Sequence, residues 1–163
     1  MNNKNILITG ASRGIDLSTA FYFLNCNVNL ILSFQDIKSM EKICKENNFQ
    51  NAGIIKTDLA KKYQIEILLK CVARLFNSID IFINCAGIKL DNDIEKTYEE
   101  DFKYTINTNL RSVFIILKEL RPHFSQDASI INLSCLYGTL LIYGVISYAM
   151  SKAGLETLTR CCC

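Results

Sequence analysis

Histidine is nearly missing from this chain: His123 is the only one in 163 residues. The eight cysteines never fall in a C-x-x-C spacing. Neither residue type therefore offers a set of zinc ligands, and no metal site is expected. Charge of one sign is also lacking. A formal net charge of +2 is too small to argue for nucleic acid or a membrane surface as partner. No apolar run reaches the roughly 20 residues that span a bilayer, so no membrane span is expected. The start, Met1-Asn2-Asn3-Lys4, passes at once into strand-like sequence. No signal or transit peptide is expected from that start. A cytoplasmic location is expected, with the mitochondrial matrix as the alternative.

The cysteines themselves are scattered. Cys26, Cys44, Cys71, Cys85 and Cys135 lie in apolar or half-apolar contexts, which reads as free buried thiols in a reducing compartment. Cys161-Cys162-Cys163 closes the chain on what reads as mid-helix. A C-a-a-X lipidation box needs cysteine at the fourth position from the end, where Arg160 stands. An altered or prematurely ended reading frame is the preferred account of this ending.

What is present is core. Half of the residues are hydrophobic and 21% are charged, enough for a sizeable interior in one domain spanning residues 1–163. Short apolar runs alternate with helical stretches. The pattern predicts strands at 5–9, 28–34, 53–56, 79–83 and 129–133. It predicts helices at 13–24, 37–47, 62–76, 99–120 and from 147 to the terminus. Continuous apolar runs such as Asn5-Ile6-Leu7-Ile8-Thr9 suit parallel strands covered on both faces. Ile65, Leu68, Leu69, Val72 and Leu75 form one helix stripe. Asn27 stands where a helix C-cap favours a residue tolerant of positive φ, and Pro122 stops the long helix. Five strands alternating with helices predict a doubly wound, mostly parallel α/β sheet of the Rossmann type.

Two segments carry chemistry. The first is Thr9-Gly10-Ala11-Ser12-Arg13-Gly14-Ile15, at the turn from the first strand into the first helix. Glycines there let the backbone approach a pyrophosphate, and the helix start supplies N–H groups and a positive dipole end. The second is Tyr148-Ala149-Met150-Ser151-Lys152. Positions i and i+4 share a helix face, so the ammonium can stand beside the phenol. It would lower the phenol's pKa toward a range useful for proton transfer. Taken alone, the pair reads better as an ordinary tyrosine and a solvated lysine on a surface helix.

With these residues the sequence resembles the short-chain dehydrogenases/reductases, in the manner of 3-oxoacyl-carrier-protein reductases. The family's loop has the form T-G-x-x-x-G-x-G. Thr9, Gly10 and Gly14 match, and Asp16 replaces the last glycine. Asp58 matches the acidic residue after the third strand. Asn84-Cys85-Ala86-Gly87 resembles the family's Asn-Asn-Ala-Gly, with Cys85 for the second Asn. Thr108-Asn109-Leu110 matches the Asn that supports the lysine. The resemblance runs from about Lys4 to the terminus.

The resemblance implies cofactor contacts at Thr9, Gly10, Ser12, Arg13, Gly14, Ile15, Asp58, Asn84, Ala86, Gly87, Tyr148 and Lys152. It implies catalysis by Tyr148, Lys152 and Asn109. The family's carbonyl-orienting Ser stands thirteen residues before the Tyr, where this chain has Cys135. Ser134 is adjacent, but alternation in an extended segment turns it the other way. The second strand ends without a carboxylate before Asp36, and Arg13 lies in the loop. Both favour NADP(H) over NAD(H).

The activity implied is hydride transfer between a nicotinamide cofactor and a small carbonyl or alcohol substrate. Family members normally continue past this point, so the resemblance reads as C-terminally truncated, with the fifth strand left as an apolar sheet edge. Self-association is implied through the 99–120 helix and the Tyr148 helix. A second reading starts from Asp16, Cys135 and the ending at Cys163. In it the chain is a catalytically impaired nucleotide-fold module that pairs with a related full-length chain or a larger assembly.

Overall fold

The expected apolar runs become the central strands because alternate side chains bury on opposite faces. The computed structural model describes residues 2–12, 14–35, 52–90, 92–140 and 143–162. Strand β1 is Lys4–Thr9, and Ile6, Leu7 and Ile8 are each fully buried. Leu7 joins Ile31, Phe82 and helix residues Ile65, Leu68 and Val72 in one core. Ile6 and Ile8 join Leu30, Leu32, Ile83 and Phe23 in the other. One strand thus feeds two hydrophobic layers, as expected of a parallel sheet sandwiched between helices. Burying each such aliphatic side chain contributes roughly 1.5–3 kcal/mol.

The remaining strands are β2 Val28–Phe34, β3 Ala52–Lys56, β4 Ile79–Asn84 and β5 Phe124–Asn132. They pair in the order β3-β2-β1-β4-β5, and each described pairing is parallel. The chain steps outward from β1 to β2 and β3, then returns to β4 on the other side. That reversal opens a crevice at the carboxyl ends of β1 and β4, where open α/β sheets bind ligands. Among the described residues β3 and β5 form the two sheet edges, and Ile131 on β5 is 47% exposed.

Helix α1 is Gly14–Leu24 and α2 is Lys62–Leu75. The α2 stripe buries Ile65, Leu68, Leu69 and Val72 but leaves Leu75 exposed. The long helix is not uniform. α3 (Glu99–Ile106) passes through a π-turn at Asn107–Arg111 into α4 (Ser112–Leu120). Pro122 then sits in the short 3-10 turn Arg121–His123, in keeping with its missing N–H. Helix α5 is Ile146–Cys161. The helix expected at 37–47 lies outside the described residues.

Two boundaries differ from expectation. β5 begins five residues earlier than the apolar run Ser129-Ile130-Ile131. Its polar start still pairs, with Phe124 opposite Ile79 before a register shift. Ser125 Oγ donates to Asp80 Oδ1 at 3.3 Å, an anchor that hydrophobic patterning does not reveal. Asn27 does not take positive φ. Among the described non-glycine residues that conformation falls to Asn3, at φ 59°. Asn3 N–H donates to Asn27 O at 2.8 Å, so the left-handed residue lies on the strand side of the pair.

Candidate functional site

The turn after β1 is shaped by close backbone approach. Gly10 has φ +85°, and a Cβ there would stand 2.6 Å from both Cα and N of Ala86. Only glycine satisfies both demands. Its N–H donates to Ser33 O at 2.7 Å, which binds the turn to β2. Gly14, at φ +59°, would meet nothing within 4 Å, so its need is conformational. Ser12 lines the crevice, whereas Ile15 is 73% exposed and does not face into it. Arg13 lies outside the described residues.

The crevice has a volume of about 360 Å³. Gly10, Ser12 and Asp16 form one end, Ser33 to Gln35 and Thr57 to Leu59 a second wall, and Ala86 to Ile88 with Thr108 a third. Ser33 Oγ, Thr57 Oγ1 and Thr108 Oγ1 are buried without a hydrogen-bond partner. Orphaned buried hydroxyls cost free energy unless a ligand satisfies them. Here all three stand in the walls of one crevice. With the α1 start and the Gly10 approach they fit a polar dinucleotide. Gln35 Nε2 donates to Tyr104 Oη at 2.7 Å, linking the end of β2 to α3.

Asp58 lines the crevice at the start of α2. Its Oδ1 accepts from Ala60 N–H at 3.0 Å, and its Oδ2 lies 3.5 Å from Lys61 Nζ. Asn84 is 1% exposed and engaged elsewhere. Its Oδ1 accepts from Thr9 Oγ1 at 3.1 Å, and its Nδ2 donates to Asn132 Oδ1 at 3.1 Å. Asn132 Nδ2 continues to Thr159 Oγ1 at 3.0 Å. Thr9 and Asn84 thus belong to a polar ladder crossing the sheet tips into α5, and their side chains lie behind the crevice wall.

The two departures from the family loops meet each other. The buried Cys85 thiol donates to the Asp16 carboxylate, and burial first, then this carboxylate, pushes the thiol up to about 12. Both groups act electrostatically on Lys152 as well. In the sequence they are unrelated positions; in the fold they occupy one corner between the phosphate loop and the end of β4.

The Asn109 side chain knits the far end. Its Oδ1 accepts from Ile88 N–H at 2.8 Å, and its Nδ2 donates to Ile88 O at 2.8 Å and Ser151 Oγ at 3.0 Å. Asn109 reaches these partners from the π-turn, which re-aims the helix there. π-Turns are frequent at functional sites for this reason. Lys152 is 4% exposed, and its Nζ donates to Leu133 O at 2.6 Å. Burial lowers its pKa, against smaller raising effects from Cys135, Asp16 and Cys85. A Cβ on Gly87 would stand 3.5 Å from that Nζ and 3.7 Å from Asn109 Oδ1. The loop, Asn109 and Lys152 are therefore close neighbours.

Tyr148 shares its helix face with Lys152, whose Nζ lies 5.7 Å from the ring centroid. The expected lowering of the phenol's pKa does not follow. Burial first, then charge and hydrogen-bond interactions with Cys135, push Tyr148 up to about 12. The ammonium lies over the ring and is turned to Leu133 O rather than paired with the hydroxyl. Cys135 faces Tyr148, whose hydroxyl donates to its sulfur. Ser134 points the other way, donating to Glu156 Oε1 at 2.6 Å. Ser151 and Tyr137 also belong to this end, and sequence reasoning missed both. Ser151 lies one residue before Lys152, and Tyr137 packs edge-on against Tyr148 at 6.2 Å between centroids.

The comparisons agree with this geometry. A family model described as short chain dehydrogenase matches residues 4–163. The 3-oxoacyl-[acyl-carrier-protein] reductase FabG of Staphylococcus epidermidis is 31% identical over 97% of this chain and 67% of its own length. An uncharacterized oxidoreductase of Staphylococcus haemolyticus is 26% identical over 96% of this chain and 76% of its own. A short-chain dehydrogenase/reductase structure from Serratia marcescens superposes with a TM-score of 0.88 at 23% identity. It covers 98% of this chain and 66% of its own. The chain spans about two thirds of the length of the FabG relatives and of that structure. By the family match and by relatives at this identity, the chain belongs to the short-chain dehydrogenase family.

Proposed function

We propose that the chain is a single dinucleotide-binding domain that interconverts a carbonyl and an alcohol with NADP(H). The observation that carries this reading is the convergence of Tyr148, Lys152, Asn109 and Cys135 beside the crevice. When bound, the nicotinamide supplies or accepts the hydride. Gly10, Ser12, Gly14, Asp58, Ala86 and Gly87 would hold the dinucleotide, with Ser33, Thr57 and Thr108 hydroxyls available to it. The described end of β2 and Gln35 present no carboxylate to repel a 2′-phosphate.

Tyr148 supplies the proton to the carbonyl oxygen. A phenol held near 12 stays protonated through neutral pH, which suits reduction better than alcohol oxidation. Lys152 brings positive charge beside the phenol and is held by Leu133 O. Asn109 fixes the Ile88 backbone and Ser151, and so positions both α5 residues. Cys135 occupies the place of the carbonyl-orienting hydroxyl and offers a weaker donor.

The test is oxidation of NADPH by the purified chain with a panel of small ketones, read by loss of nicotinamide absorbance. Turnover that vanishes in Tyr148→Phe is expected. Turnover unchanged in that variant would overturn the assignment. A second reading draws on Asp16, whose carboxylate lines the end of the crevice beside the phosphate loop. In it the chain binds nucleotide poorly and acts as a partner of a full-length relative. Failure of the folded chain to bind either dinucleotide would favour it. Self-association through α3, α4 and α5 belongs to the first reading.

A further inference from the structure

Two walls of the crevice are joined by a pair of side chains. Gln35 stands just past β2 and lines one wall. Its Nε2 donates to Tyr104 Oη on α3 at 2.7 Å. Thr108, four residues after Tyr104, lines the opposite wall. Gln35 is exposed and Tyr104 half-buried. The orphaned hydroxyls of Ser33, Thr57 and Thr108 are instead buried, at 0%, 2% and 7% exposure. The hydrogen bond therefore lies on the solvent side of the walls, and the hydroxyls lie deeper.

The anchors of this link are fixed and the link itself is soft. Thr57 N–H donates to Phe34 O at 2.8 Å, which ties the residue before Gln35 to the end of β3. Tyr104 O accepts from Asn107 N–H, so its backbone is held in the helix. The hydrogen bond joins a carboxamide to a phenol, which can part by side-chain rotation without moving a strand or a helix.

We propose that Gln35 and Tyr104 form a clasp over the adenosine end of the crevice that retains the bound dinucleotide. This deepens the dinucleotide-binding reading and rests on it. The pyrophosphate belongs at the start of α1, and the nicotinamide beside Tyr148 and Lys152. The adenosine then falls to the end of β2, where dinucleotide folds hold that ribose. The buried hydroxyls meet it from below and the clasp closes above. Its departure requires the hydrogen bond to part. A neutral bond on the solvent side slows that step by about two- to tenfold.

The test is stopped-flow displacement of NADPH from the full chain by excess NADP+, read by nicotinamide fluorescence. It compares the parent, Tyr104→Phe, Gln35→Met and the double variant, with urea melts beside each. Tyr104→Phe removes the accepting oxygen and keeps the ring. Each single variant should release NADPH about two- to tenfold faster, with a urea midpoint like the parent's. The double variant should be no faster than the singles, because both changes break the same bond. Two independent packing defects would multiply instead. Unchanged release in Tyr104→Phe, or multiplied effects in the double variant, overturns the clasp and leaves dinucleotide binding standing. A folded parent that binds no NADPH overturns the dinucleotide reading, and the clasp with it.

Discussion

Replacing Asp16 should move stability and cofactor affinity in opposite directions. Its carboxylate lines the crevice beside the phosphate loop and accepts from the Cys85 thiol. A bound pyrophosphate would bring two negative charges toward it. At separations of about 6 Å and an effective dielectric of roughly 40, each pair of unit charges repels by about 1.4 kcal/mol. Salt and partial exposure reduce the sum, so a net penalty of about 1–3 kcal/mol is expected. Asp16→Asn keeps the shape and a hydrogen-bonding oxygen, and should tighten NADPH binding about 5- to 150-fold. Asp16→Gly should tighten it at least as much. Stability should fall in Asp16→Gly by about 1–2 kcal/mol, from glycine in the first turn of α1 and loss of a negative charge at the helix start. Titration by nicotinamide fluorescence at two salt concentrations, beside urea melts, reads both effects. The gain in affinity should shrink at the higher salt. Unchanged or weaker binding in both variants would refute the electrostatic reasoning.

Three further outcomes follow from the same geometry. Tyr148→Phe should lower carbonyl reduction at least about 100-fold while leaving NADPH affinity within about threefold. Because Tyr148 is held near 12, alcohol oxidation by the parent chain should rise steadily with pH across the neutral and mildly alkaline range. A plateau at neutral pH would contradict this. Asp80 is held below its ordinary pKa of 3.8 by Lys4, then by the Asn5 N–H, so its contribution is present above that ordinary value and lost as pH falls below it through the lowered one. Asp80→Asn should cost about 1–2 kcal/mol in urea melts at neutral pH, and the difference from the parent should vanish in acid. Gly10→Ala must relieve contacts of 2.6 Å against Ala86 and an unfavourable φ. It should destabilise by more than about 3 kcal/mol, and a chain that melts normally would contradict the described turn.

The sheet was legible because Ile6-Leu7-Ile8 and Leu30-Ile31-Leu32 can be satisfied only between two helical layers. The alternating pattern also sufficed for the doubly wound class. The π-turn at Asn107–Arg111 was not legible, since 99–120 keeps helical periodicity on both sides of it. Nor was the start of β5, where Phe124 pairs with Ile79 ahead of a register shift and Ser125 is held by an Asp80 contact rather than by apolar packing.

At the site, Tyr148 and Lys152 are neighbours by helix spacing alone. Their electrostatics depend on burial and on Cys135, so spacing gave the wrong sign for the Tyr148 pKa. Asn84 reads from the loop motif as a cofactor contact, yet its two hydrogen bonds lie within the sheet-tip ladder. The Asp16–Cys85 contact joins residues far apart in the chain, and only the packing of α1 against the end of β4 brings them together.

The most direct test of the central claim is titration of the folded 163-residue chain with NADPH and NADH, followed by nicotinamide fluorescence. Saturable binding, tighter for NADPH and displaced by NADP+, is the expected result. A folded chain that saturates with neither dinucleotide would contradict the account.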